Sequence, residues 1–106
     1  MRPLKLRLEN FASYRGAVEL DFAPLELFAI EGPTGAGKSS LLDAIIFALY
    51  NKVPRTGGQG GREMISLGAD RMSVRFDFRA GLDTYRVTRV ARRKGAGVAQ
   101  LEQLGY

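Results

Sequence analysis

Apolar and polar residues alternate from the start of the chain. Leu4, Leu6 and Leu8 are interleaved with Lys5, Arg7 and Glu9, the period-two pattern of a strand with one covered face. Val18, Leu20 and Phe22 repeat it against Glu19 and Asp21, so residues 10–16 are expected to join two strands of an antiparallel ribbon. Pro24 interrupts the pattern. Residues 25–31 then form a short apolar run suited to a buried strand. From Ser40 to Tyr50 the chain is apolar on almost every helical face, with Asp43 its lone charge. A helix of that kind is enclosed rather than surface-lying, between a sheet and other structure. It is expected to begin near Ser39 or Ser40. Asn51 and Lys52 suit its C-terminus, and Pro54 stops it.

The second half returns to period two. Met72, Val74, Phe76 and Phe78 alternate with Ser73, Arg75, Asp77 and Arg79. Residues 80–83 read as a turn, Thr84 to Arg92 as a strand, 94–97 as a turn and Val98 to Leu104 as a further strand. Before them, residues 55–63 carry Gly57, Gly58, Gly60 and Gly61. These read as a flexible surface loop; a second phosphate cradle would need a strand before it and a helix after it. The expected fold class is α/β: a mixed sheet with an antiparallel meander around one buried helix.

Composition removes several chemistries. The 106 residues suit one domain or less. There is no cysteine, hence no disulfide framework or thiolate metal site. There is no histidine, hence no imidazole ligand and no imidazole base near neutral pH. Residues 1–7 alternate charge with leucine and lack the apolar stretch of a signal peptide. No apolar run reaches membrane-spanning length, so the cytosol is the expected compartment and no membrane partner is expected.

The residues most specific to a chemistry are 32–39, Gly-Pro-Thr-Gly-Ala-Gly-Lys-Ser. They match the spacing G-x-x-x-x-G-K-[ST] of a phosphate-binding loop, with the required strand before and helix after. Gly32, Gly35 and Gly37 lack a Cβ, so the backbone can approach phosphate oxygens closely. Successive N–H groups then form an anion nest at a helix N-terminus. Lys38 is expected to reach the β- and γ-phosphates, and the Ser39 hydroxyl to ligate Mg²⁺. Pro33 and Thr34 stiffen the turn, while Ala36 and Ser40 complete the ATP-binding run 32–40. Lys38 and Ser39 are the candidate catalytic residues and Ser39 the candidate metal ligand. A P-loop ATPase also needs an apolar strand ending in a metal-binding Asp. Phe76-Asp77 and Leu20-Asp21 come nearest, but both lie in alternating strands. The chain is therefore expected to be the N-terminal part of a longer polypeptide, holding half a catalytic site and inactive in hydrolysis by itself.

The run Leu27-Phe28-Ala29-Ile30-Glu31-Gly32 through Lys38-Ser39-Ser40-Leu41-Leu42-Asp43-Ala44-Ile45 resembles the N-terminus of the bacterial SbcC family, as do Leu6-Arg7-Leu8-Glu9-Asn10-Phe11-Ala12-Ser13-Tyr14 and Tyr85-Arg86-Val87-Thr88-Arg89. These are the ATPase subunits of SbcCD nucleases, in the SMC-like branch of ABC-type ATPases. The resemblance covers nearly the whole chain. It implies the N-terminal lobe of an ATPase head spanning 1–106, with a coiled coil and a C-terminal lobe to follow. It implies ATP and Mg²⁺ as cofactors. It also implies an SbcD-like nuclease as partner, DNA as substrate, and an ATP-dependent dimer with a second head that gates the nuclease. Residues 11–14 would lie near the nucleotide; relatives often carry a basic residue where this chain has Ala12, and Arg15 can substitute. Ser66-Leu67-Gly68 would approach the nucleoside. An ABC transporter ATPase and a small kinase are the alternative P-loop readings.

Net charge is +5, and the excess is local. Residues 71–94 hold eight of the 16 Lys and Arg but only two of the 11 Asp and Glu. Arg86, Arg92, Arg93 and Lys94 are the candidate DNA-phosphate contacts, which would be sequence-blind and salt-dependent; the alternative is a solvated face. Lys38→Ala is expected to abolish nucleotide binding while leaving the fold intact, since one charge-assisted contact contributes roughly 1.5–3 kcal/mol. Calorimetric titration with MgATP measures it, and an unchanged affinity would remove Lys38 from its central role.

Overall fold

The alternating segments pair into one five-stranded antiparallel sheet in a computed structural model that describes residues 2–12, 14–22, 35–53, 58–59 and 64–105, with backbone alone at 15, 35–41, 53 and 58–59. In chain order the elements are β1 (Arg2–Phe11), β2 (Tyr14–Asp21), α1 (Gly35–Tyr50), β3 (Lys52–Val53), β4 (Gly58–Gln59), β5 (Arg71–Ala80), β6 (Asp83–Arg92) and β7 (Val98–Leu104). The sheet order is β2-β1-β5-β6-β7, and every pairing among the described residues is antiparallel. The apolar run 25–31 lies outside the described residues.

The strand alternation decides what is inside. Leu6 and Leu8 on β1 stand opposite Phe76 and Val74 on β5, and Phe76 in turn stands opposite Val87 on β6. All five are buried, together with Phe11, Met72 and Ala91. Helix α1 crosses this face, packing on β5, β6 and β1. Its Ala44, Phe47 and Ala48 are fully covered, and the rings of Phe47 and Phe11 lie 6.3 Å apart. Phe76, Phe78 and Tyr85 stack in succession at 5.5 and 5.8 Å.

Four expectations change. Helix α1 starts at Gly35, ahead of Ser39, because first-turn N–H groups need no intrahelical acceptor and the second half of the glycine motif can serve as that turn. The helix is also not enclosed all round by the described residues: Leu42 and Tyr50 are exposed, since the sheet covers one side only. The β1–β2 connection is tighter than 10–16. Phe11 already pairs with Tyr14, and a register shift between Glu9 and Phe11 absorbs Asn10 at φ 56°. Finally, the glycine-rich 55–63 segment contributes a strand. Asn51 at φ 58° ends the helix in the left-handed conformation, its N–H donating to the Phe47 carbonyl at 2.9 Å. Lys52–Val53 then pairs with Gly58–Gln59, which satisfies backbone groups that a loop would leave to water.

The opposite sheet face carries charge in an ordered way. One row of register partners crosses all five strands as Asp21, Lys5, Asp77, Arg86 and Glu102, alternating in sign. Opposite charges directly across a strand pair are favourable, so the row supports the register chosen by the apolar face. Phe76→Ala should destabilise the chain by about 3–5 kcal/mol, because the ring is fully buried mid-sheet and would leave a cavity. Urea denaturation measures it; a loss below about 1 kcal/mol would mean that the face re-collapses around the site.

Candidate nucleotide and polyanion sites

The placement of α1 brings the phosphate-loop motif to a helix N-terminus. Gly35, Ala36, Gly37, Lys38, Ser39 and Ser40 form its first residues, while Gly32, Pro33 and Thr34 lie outside the described residues. The first four N–H groups of a helix have no intrahelical partner, and the macrodipole puts partial positive charge there. An anionic phosphate chain fits that backbone.

At its other end α1 lacks a basic residue in its last turn. A strand supplies one. Arg89, on β6, donates through Nε to the Ala48 carbonyl at 3.2 Å, and its guanidinium carbon sits 5.9 Å from the centre of the Phe47 ring. Burial disfavours the charged form and lowers the Arg89 pKa from its ordinary value.

The turn after β1 meets the segment before β5. Ala12 N–H donates to the Met64 carbonyl at 2.6 Å, and Ser66 N–H to the Asn10 carbonyl at 2.9 Å. The buried Ser66 hydroxyl donates to the Ala12 carbonyl at 2.7 Å. These bonds hold Asn10 and Ala12 at positive φ, 56° and 52°, a conformation that costs an L-residue roughly 1–2 kcal/mol. Of the segment 66–68, Ser66 is thus committed to the backbone, while Leu67 is 82% exposed. Phe11 points into the core, and Ser13 lies outside the described residues.

The four basic candidates separate into two kinds. Arg86 forms a bidentate pair with the buried Asp77, Nε to Oδ1 at 2.8 Å and Nη2 to Oδ2 at 2.9 Å. Arg93 donates to three carbonyls, those of Ala69 at 2.5 Å, Ser66 at 3.1 Å and Ile65 at 3.4 Å. Both spend donors inside the protein. Arg92 and Lys94 are exposed and line a concavity of about 420 Å³ with Asp70, Arg71 and Arg93. Arg71, which the sequence pattern does not single out, stands directly opposite Arg92 in the β5–β6 register. That adjacency is invisible until the strands are paired. Like charges facing each other across strands are unfavourable, and a bound anion would relieve them. Glu9 approaches Arg71 at 3.4 Å from β1. No group of three or more metal-ligating side chains occurs among the described residues, and none of their helices is long and apolar enough to cross a membrane.

This helix-on-sheet unit with a phosphate-loop motif at the helix start has the fold of an ATPase-head lobe, and the chain belongs to the AAA domain family, whose model matches residues 5–103. Its fold is shared with the SMC head domain from Thermotoga maritima, at TM-score 0.66 and 24% identity over 99% of this chain and 39% of that one. More particularly, it is 54% identical to the SbcC subunit of the SbcCD nuclease of Deinococcus radiodurans over 96 residues, 91% of this chain. It is 45% identical to a probable DNA double-strand break repair Rad50 ATPase of Aquifex aeolicus over 87% of this chain. It spans 11% and 10% of those two proteins. Likeness to SbcC and Rad50-type repair ATPases is therefore the specific relationship within the family.

Arg93→Gln should lower stability by about 1–2 kcal/mol, a discounted figure for charge-assisted bonds on a partly solvated side chain. Chemical denaturation measures this. A change under about 0.5 kcal/mol, typical of an unengaged surface residue, would return Arg93 to the cations open to a polyanion.

Proposed function

We propose that this chain is the ATP-binding lobe of an SbcC-like DNA repair ATPase that acts with a partner nuclease on DNA ends and double-strand breaks. The observation that carries the reading is the register of motif and helix: α1 begins at Gly35, inside the motif, so its first-turn amides belong to the phosphate loop. In this reading those amides, with Gly32, Pro33 and Thr34 ahead of them, hold the phosphates of ATP. Lys38 places an ammonium on the β- and γ-phosphates, and Ser39 and Ser40 offer hydroxyls, Ser39 to Mg²⁺. The metal, when bound, neutralises charge on the phosphate oxygens.

The partners follow from the same reading. An SbcD-like nuclease is the expected companion, because several relatives of this chain are subunits of SbcCD nucleases by name. A C-terminal lobe of the same polypeptide and a second head would complete the site with acidic residues. The exposed Leu42, Tyr50 and Leu101 on the helix side offer apolar area for such a lobe. The cytoplasm, at the nucleoid, is the compartment such a protein works in.

DNA is proposed to lie across the end of the β6 strand. Arg92 and Lys94 remain the candidate phosphate contacts and Arg71 joins them, while Arg86 and Arg93 serve primarily to hold the fold. The variant Arg71→Gln/Arg92→Gln/Lys94→Gln should weaken duplex binding equally for unrelated sequences. The slope of log affinity against log salt should fall by about 2 to 3. Fluorescence anisotropy with labelled duplexes over a salt series reads both quantities. An unchanged slope would leave the three cations as a solvated surface.

A further inference from the structure

We propose that Arg89 is the positioning residue for the phosphate-binding helix: from the middle of β6 it caps the C-terminal end of α1 and thereby sets the placement of the amides at the other end. The inference rests on the nucleotide reading of residues 32–40 and adds a residue that no part of that motif contains.

Four observations converge on Arg89. The last turn of α1 has no basic side chain of its own, so any counter-charge to the partial negative charge of its terminal carbonyls comes from outside the helix. Of those carbonyls, Phe47's is taken by the Asn51 N–H, and Ala48's by Arg89 Nε at 3.2 Å. The guanidinium also lies over the Phe47 ring at 5.9 Å, within cation–π range. The same ring lies 6.3 Å from that of Phe11. Phe47 thus contacts both a cation from β6 and an aromatic from β1. Finally, Arg89 is anchored in the middle of the sheet, opposite Val74 on one side and Ala99 on the other. Its main chain cannot shift without moving three strands.

A helix is stiff over the ten residues from Lys38 to Ala48, roughly 15 Å at 1.5 Å per residue. Freeing its C-terminal end lets the rod tilt or slide, and the first-turn amides move with it. A planar fork on a cation does what an apolar side chain at position 89 could not: it donates a hydrogen bond to a helix carbonyl and sets a positive charge against a ring at once.

The test compares Arg89→Met, which keeps length but loses charge and donors, with Arg89→Lys, which keeps the charge. In the ligand-free chain, Arg89→Met should move the backbone amide signals of Gly35 and Gly37 while leaving those of β2 in place. MgATP affinity, read by calorimetry, should weaken at least about threefold, in line with the loss of a helix-end charge. Arg89→Lys should recover most of both effects. Unmoved Gly35 and Gly37 signals in Arg89→Met would overturn the proposal, and so would wild-type affinity in that variant, even with a lowered melting temperature. Should Arg89→Met fail to fold, Arg89→Gln, which also removes the charge but keeps a polar donor, carries the comparison: displaced Gly35 and Gly37 signals in a folded protein support the role, and wild-type positions for both refute it. Failure of the nucleotide reading itself would show differently, as wild-type protein that binds no MgATP. The ligand-free amide signals would then still decide the Arg89 question.

Discussion

The structure depends on one contact, the seating of α1 on the apolar face of the sheet. Phe47 is its centre, fully buried and flanked by Phe11 from β1 and Arg89 from β6. The hydrophobic gain from covering such a ring is of the order of 1.5–3 kcal/mol, and the flanking groups add direction to it. That direction matters because the N-terminal end of α1 carries the glycine-rich motif. A phosphate site built largely on backbone amides cannot move those donors independently of the chain. It is only as well placed as the helix that presents it.

The sheet meets this demand by separating its two faces. The inner face is apolar and receives the helix. The outer face carries a row of alternating charge that runs from Asp21 to Glu102 across all five strands. A slip of one residue in any strand would turn apolar residues outward and also break that row, so both faces specify the same register. Arginine is used in three ways along β6 and just past its end. Arg86 neutralises the buried Asp77, Arg89 caps a helix, and Arg93 ties the segment before β5 to the end of β6. The charge excess of residues 71–94 is therefore smaller in effect than its count implies. At the end of β6, Arg71 and Arg92 face each other beside Lys94.

Much of this was legible in the chain itself. Strict alternation in 4–8, 18–22 and 72–79 announced strands, as did Tyr85 and Val87 sharing one face within 84–92, because residues two apart share a sheet face. The end of α1 was legible too, since Asn51 tolerates the left-handed conformation that stops a helix. The family was legible in the motif at 32–40 with its flanking residues, and the match over residues 5–103 bears it out. The short strand at Gly58–Gln59 was not legible: two residues hold no periodicity, and glycine there argued for a loop.

The sequence by itself determined where strands and helix lie and that a phosphate-binding motif opens that helix, because those properties are written in periods of two and 3.6 residues and in local spacing. Only the tertiary structure decided what each arginine does. Arg86, Arg89 and Arg93 look alike along one stretch of chain, the first two on β6 and the third just past its end, yet one meets a carboxylate, one a helix end and one a set of loop carbonyls. Those partners lie 9 to 41 residues away in the chain, at separations set by strand pairing and helix packing rather than by any local pattern.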